Sequence, residues 1–152
     1  MSNNPGSNEA GNNTPAFTWI VLACLGVVDL VRGVLHTFLV KHSAVEIAGM
    51  NLSEAAQDQL MLLGAFGISN FLTGAMFLAV AWKAKNLAPT VLAIIPVAYL
   101  LGILAFKLNH ISSQAAFPGR YFMLGYLAVC VITFVASILW KRPRHASHQF
   151  SP

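Results

Sequence analysis

FTWIVLACLGVVDLVRGVLHTFLV, residues 17–40, is long enough to cross a bilayer yet carries Asp29, Arg32 and His36 among its apolar residues. Roughly 20 apolar residues suffice for a membrane-spanning helix. An Asp or Arg at the centre of such a helix opposes insertion by roughly 2.5–3.5 kcal/mol. Ionisable groups at that depth are rare and face a partner or a water-filled cavity. The stretch therefore marks a membrane helix and, within it, the place where anything polar happens. It locates a site and leaves the reaction open.

Working outward, the composition agrees. The 152 residues are 57% hydrophobic and only 9% charged, with a mean hydropathy of +0.66. A soluble domain carries about 25% charged residues, so this chain lacks the charge to cover a water-facing surface. Three further apolar runs follow, at about residues 60–82, 88–106 and 121–140. None shows the alternation of a membrane β-strand. Backbone groups in lipid must be satisfied within their own segment, so the runs are helices, and short connections make consecutive helices antiparallel neighbours. The expectation is an all-α integral membrane protein, an antiparallel four-helix bundle over residues 17–141. Residues 1–16, rich in Asn, Gly, Ser and Pro, are expected to be a disordered N-terminal tail. Residues 142–152 make a basic C-terminal tail, in which His145 and His148 read as solvated. The first apolar run is too long for a signal-peptide core and reads as a retained helix. Cys24 and Cys130 fall in apolar runs and read as buried small hydrophobes rather than a disulfide.

Four helices place both termini on the side of the second loop. That side holds Lys83, Lys85, Lys141, Arg142 and Arg144, against Lys41, Lys107 and Arg120 on the other. The positive-inside rule then puts the termini in the cytoplasm. Trp19, Trp82 and Trp140 fall on the same side as an interfacial belt. The sequence pI of 9.4 reflects this asymmetry and headgroup contact, not nucleic acid, since the basic residues are scattered and no binding motif accompanies them. In the first outer loop, Asn51-Leu-Ser-Glu54 resembles a capping box. It predicts that the second helix begins near Leu52 and rises above the bilayer as a lid. Pro89 suits the first turn of the third helix, and Pro96 predicts a mid-helix kink that frees the carbonyl of Leu92. Phe117-Pro-Gly119 is a turn signal ahead of the fourth helix, which carries Tyr126, Cys130, Thr133 and Ser137.

At about 100° per residue, Gly26, Asp29, Arg32, Gly33 and His36 share an arc of about 120° on the first helix. Ile20, Val27, Val31, Val34 and Phe38 take the opposite side. One face is polar and small, the other lipid-like, and small residues let a second backbone approach closely. The second helix repeats the pattern. Gly26-Val-Val-Asp29-Leu-Val-Arg32-Gly33 aligns with Gly67-Ile-Ser-Asn70-Phe-Leu-Thr73-Gly74. This predicts that the first two helices pack through Gly26, Gly33, Gly67 and Gly74, with Asn70 and Thr73 near Asp29 and Arg32. Asp29 and Arg32 are spaced to interact along one face, as an ion pair in which each partner relieves the other.

Three roles compete for Asp29, Arg32, His36, Asn70 and Thr73: a polar staple between helices, a binding or proton-handling site opening outward, or a catalytic site. A cluster of His36, His42, His110 and Lys107 at the outer ends of helices one and three is the one conceivable metal site, but the spacing of known metal motifs is absent. No metal or other cofactor is expected. No phosphate loop, dinucleotide fingerprint, Gly-x-Ser-x-Gly or Cys-x-x-Cys occurs either.

The stretch Asp29-Leu-Val-Arg-Gly-Val-Leu-His-Thr-Phe38, with four helices in this length, resembles the BphX-like family of small bacterial membrane proteins. The resemblance implies a multi-pass protein of the bacterial inner membrane and carries over no catalytic residue. The leading expectation is a non-enzymatic membrane protein that binds a small ligand or serves as an accessory subunit. A proton-coupled small transporter, or a membrane enzyme acting on a lipid or aromatic substrate, is the alternative. The expected partners are the lipid bilayer and, because four helices make a thin wall around any transport path, a homo-oligomer or larger membrane complex.

Overall fold

The computed structural model describes residues 14–53, 55–111 and 119–140. The expectations for the two tails, Glu54 and the Phe117-Pro118 turn lie outside the described residues. Helix α1 (Ala16–Thr37) leads to the short α2 (Val40–His42), which runs on as a π-helical turn (Ser43–Ile47). Helix α3 (Ala56–Lys83) follows, then a 3₁₀ turn (Lys85–Leu87), α4 (Ala88–Leu108) and α5 (Gly119–Trp140). No strand occurs among the described residues. The four long helices are each long and apolar enough to cross a membrane.

The helix ends follow local chemistry. Pro89 sits in the first turn of α4, where a missing N–H leaves no bond unmade. The Asn109 side chain closes the other end, donating to the Ala105 carbonyl at 2.8 Å alongside its own backbone N–H at 3.1 Å. Helix α3 begins at Ala56 rather than near Leu52. The Asn51 carboxamide accepts from the backbone N–H of Ser53 at 2.9 Å, so it stabilises a local turn instead of a helix start. Ala55, in the left-handed region at φ 50°, then redirects the chain into α3.

Helix α1 touches all three other long helices, most extensively α3; α4 packs mainly on α5, and α3 and α4 meet only sparsely. The α1–α3 seam is made by the repeated glycines. A Cβ on Gly74 would stand 2.7 Å from the Gly26 carbonyl oxygen, and one on Gly33 would stand 2.9 Å from the Phe71 ring. A Cβ on Gly67 would overlap the Thr37 hydroxyl and meet the backbone of His36 and Thr37 at 2.9 Å. Gly26 thus faces Gly74 while His36 and Thr37 face Gly67, which makes the two helices antiparallel.

The outer face of α1 is as the periodicity predicts: Ile20, Val27, Val31, Val34 and Phe38 are exposed. Cys130 is buried but Cys24 is exposed, because five residues of helix turn Cys24 about 140° away from Asp29. The core joins Leu22 and Leu25 of α1 to Phe77, Leu92, Ile95, Tyr126 and Cys130. At one end of the molecule Phe17 stacks edge-on against Trp140, with ring centroids 6.3 Å apart. At the same end Lys85 stands over the Trp19 ring at 4.2 Å and Lys83 over Trp82 at 4.2 Å. Trp19 and Trp82 are thus cation–π partners of basic residues.

The seam predicts a contrast among glycines. Gly74→Leu drives a side chain into backbone that cannot yield and lowers stability in detergent by about 2 kcal/mol or more. Gly102→Leu and Gly125→Leu, where a Cβ meets nothing within 4 Å, stay within about 0.5 kcal/mol of the parent. Thermal unfolding of the three variants checks it.

Candidate functional site

Asp29 is 3% exposed, and both of its oxygens are engaged. The Tyr126 hydroxyl of α5 donates to Oδ2 at 3.0 Å, while Arg32 Nη1 approaches Oδ1 at 3.4 Å from the next turn of α1. A carboxylate this deep requires such partners, since an unpaired charge away from water is strongly unfavourable. The longer of the two contacts leaves the guanidinium free to lie over the Phe66 ring at 5.5 Å and the Phe122 ring at 6.0 Å. Arg32 carries five N–H donors, and its bond to Asp29 is the one hydrogen bond it makes among the described residues.

The pair lies at the base of a cavity of about 390 Å³. Helix α3 contributes Phe66, Asn70, Thr73 and Met76 to its wall; α4 contributes Ile94, Ala98 and Tyr99; α5 contributes Tyr126. Asn70 is buried at 6% exposure, and its amide nitrogen has no hydrogen-bond partner among the described residues. Thr73 donates to the Ser69 carbonyl at 3.0 Å, a bond back to its own helix that keeps the hydroxyl from reaching across the seam. The four residues expected to meet therefore share one cavity, but through its wall and not through direct bonds between the helices.

His36 departs from that set. Its Nδ1 stands 2.6 Å from the Ser43 hydroxyl, and its ring is 5.8 Å from that of Phe66. The histidine ties the end of α1 to the π-helical turn and does not line the cavity. Among the described residues no three His, Cys, Asp or Glu side chains come together as a metal site would need, so the outer-end histidine cluster does not form there.

Tyr126 was not among the expected site residues, although a signal existed. Tyr126, Cys130, Thr133 and Ser137 recur at spacings of four, three and four, the period of one helix face, and all four are buried. Chemically the site offers hydrogen-bond donors and a ring-lined, mostly apolar wall. The Asp29 oxygens are already occupied, so the groups with capacity to spare are donors: the Arg32 guanidinium and the buried Asn70 amide nitrogen, which has no partner among the described residues.

Set against known proteins, the chain matches no family model, no curated protein and no solved structure.

The geometry orders three substitutions by stability. Asp29→Ala strands Arg32 and destabilises by about 3–5 kcal/mol. Tyr126→Phe removes one interhelical hydrogen bond and lowers stability by about 0.6–1.7 kcal/mol. The double variant Asp29→Ala/Arg32→Ala recovers part of the single-variant loss, because the two charges act as a unit. Unfolding in detergent, followed by helical circular dichroism, gives all three values.

Proposed function

We propose that this protein binds a small ligand within the membrane, in the cavity whose base is the Asp29–Arg32 pair and whose walls come from α3, α4 and α5. The observation that carries this reading is the meeting of a polar base with apolar walls around about 390 Å³ of space. Small-molecule sites typically enclose about 300–1,000 Å³, with mostly apolar linings and a few polar groups that set orientation. The positive-inside rule assigns the end that holds Lys83 and Lys85 to the cytoplasm, and the likeness of residues 29–38 to the BphX-like family adds a bacterial inner membrane to the reading.

A second role accompanies the first. Both oxygens of Asp29 are engaged by protein groups on α1 and α5, which supports a polar staple between those helices. The two roles separate experimentally, because Ala98 lines the cavity and takes no part in the staple. Native mass spectrometry of gently solubilised protein is expected to show a bound mass beyond that of the polypeptide. Ala98→Trp fills the cavity and removes that mass while leaving the melting temperature within a few degrees of the parent. A parent protein that always flies as the bare chain rejects ligand binding and leaves the staple.

A further inference from the structure

The cavity has a charge balance and an opening that together specify a ligand class and a route of entry, both resting on the ligand-binding reading. Among the described residues Asp29 and Arg32 are its only charged lining groups, and they stand as neighbours 3.4 Å apart. Their charges cancel, so an incoming anion meets no net positive field, and an incoming cation finds the carboxylate oxygens already held by Tyr126 and Arg32. Moving an ion out of water into such a place is strongly disfavoured. The unused capacity is in donors: Arg32 has N–H groups left over and the buried Asn70 amide nitrogen has no partner among the described residues; both suit an accepting oxygen, the charged guanidinium the more strongly.

The rim points to the route. Helices α3 and α4 meet only sparsely, and between them Met76 and Ile94, each 57% exposed, border the cavity along with Phe66 at 43%. These residues lie well inside spans long and apolar enough to cross the membrane. The opening is therefore edged by hydrocarbon and aromatic groups at a depth where its surroundings are acyl chains. We propose that the cavity takes an uncharged, mainly hydrocarbon molecule bearing a hydrogen-bond-accepting oxygen, which arrives from within the bilayer through the gap between α3 and α4 and is recognised by the guanidinium of Arg32. A phospholipid acyl chain, which shares the route, has no use for that donor.

Three probes built on one ring system test this in protein reconstituted in lipid nanodiscs: the ketone fluorenone, the hydrocarbon fluorene and the anion fluorene-9-carboxylate. Each competes against photolabelling by benzophenone, with the labelled residue found by mass spectrometry. Labelling is expected at cavity residues such as Met76, and fluorenone should block it at a concentration about 10-fold below the other two, the factor a single hydrogen bond to a charged donor supports. In Asp29→Leu/Arg32→Met, which removes both charges together and so avoids stranding either one, labelling persists and the preference for fluorenone falls to about threefold or less, the remainder being what the neutral Asn70 amide supplies. Retained labelling shows that this variant is folded. Equal competition by fluorenone and fluorene in the parent overturns the acceptor and leaves the cavity standing as a hydrocarbon or acyl-chain site. Strongest competition by the carboxylate overturns the neutral class. Labelling of the same residues by a benzophenone sulfonate confined to the water phase overturns the bilayer route. Labelling scattered over outward residues such as Val31, and unchanged by Ala98→Trp, rejects the ligand-binding reading itself.

Discussion

A carboxylate held away from water must have its charge and its lone pairs satisfied by protein, and Asp29 imposes that demand on everything around it. Arg32, one turn along the same helix, supplies the opposite charge; Tyr126 of α5 supplies the hydrogen bond. The first partner comes with the sequence of α1, but the second exists only if α5 stands beside α1 in the right rotation. The acidic group thus does more than tolerate burial, because its hydrogen bond fixes which helix occupies that side. On the adjoining side α1 presents glycines, which let α3 come close enough for the backbone at Gly26 and Gly74 to touch. One helix is clasped by a polar contact on one flank and a small-residue seam on the other.

That division explains why a cavity forms where it does. Lipid tails are as apolar as leucine, so no hydrophobic force closes a gap between two membrane helices; association rests on packing and polar contacts. Helix α1 holds both α3 and α5 by such means, whereas α4 packs mainly on α5 and scarcely reaches α3. Among the described residues, few contacts close the space between α3 and α4. Its base falls on the Asp29–Arg32 pair because the polar face of α1 is turned inward, away from the side occupied by Ile20, Val27, Val31, Val34 and Phe38.

His36 shows how a residue on the same face acquires a different task. It lies about two turns from Asp29, beyond the cavity, where the chain leaves α1 and doubles back through the π-helical turn. Ser43 is buried there against it, and the ring also meets Phe66, which in turn lies under Arg32. The histidine therefore anchors the connection after α1 while the aspartate and arginine shape the cavity, and Phe66 is the side chain they share.

The amino-acid sequence by itself determined the four long helices, the outward and inward faces of α1, and the glycine seam with α3. All three follow from local rules: hydrocarbon demands about 20 apolar residues in helical form, and a period of 3.6 residues assigns each side chain to a face. The repeat spaced from Gly26 to Gly67 also put Asn70 at the depth of Asp29, where it lines the same cavity. What only the tertiary structure decided was the neighbour on each remaining face. Tyr126 lies 97 residues from Asp29 along the chain, and although Tyr126, Cys130, Thr133 and Ser137 mark one face of α5, the rest of α4 and α5 is so uniformly apolar that hydropathy cannot say which helix that face meets. The same lack of contrast hid the gap between α3 and α4, and the exclusion of His36 from the cavity awaited the path of the connection after α1. Faces are a property of one helix and its solvent; the choice between equally greasy partners depends on rare polar and small contacts that have meaning only in pairs.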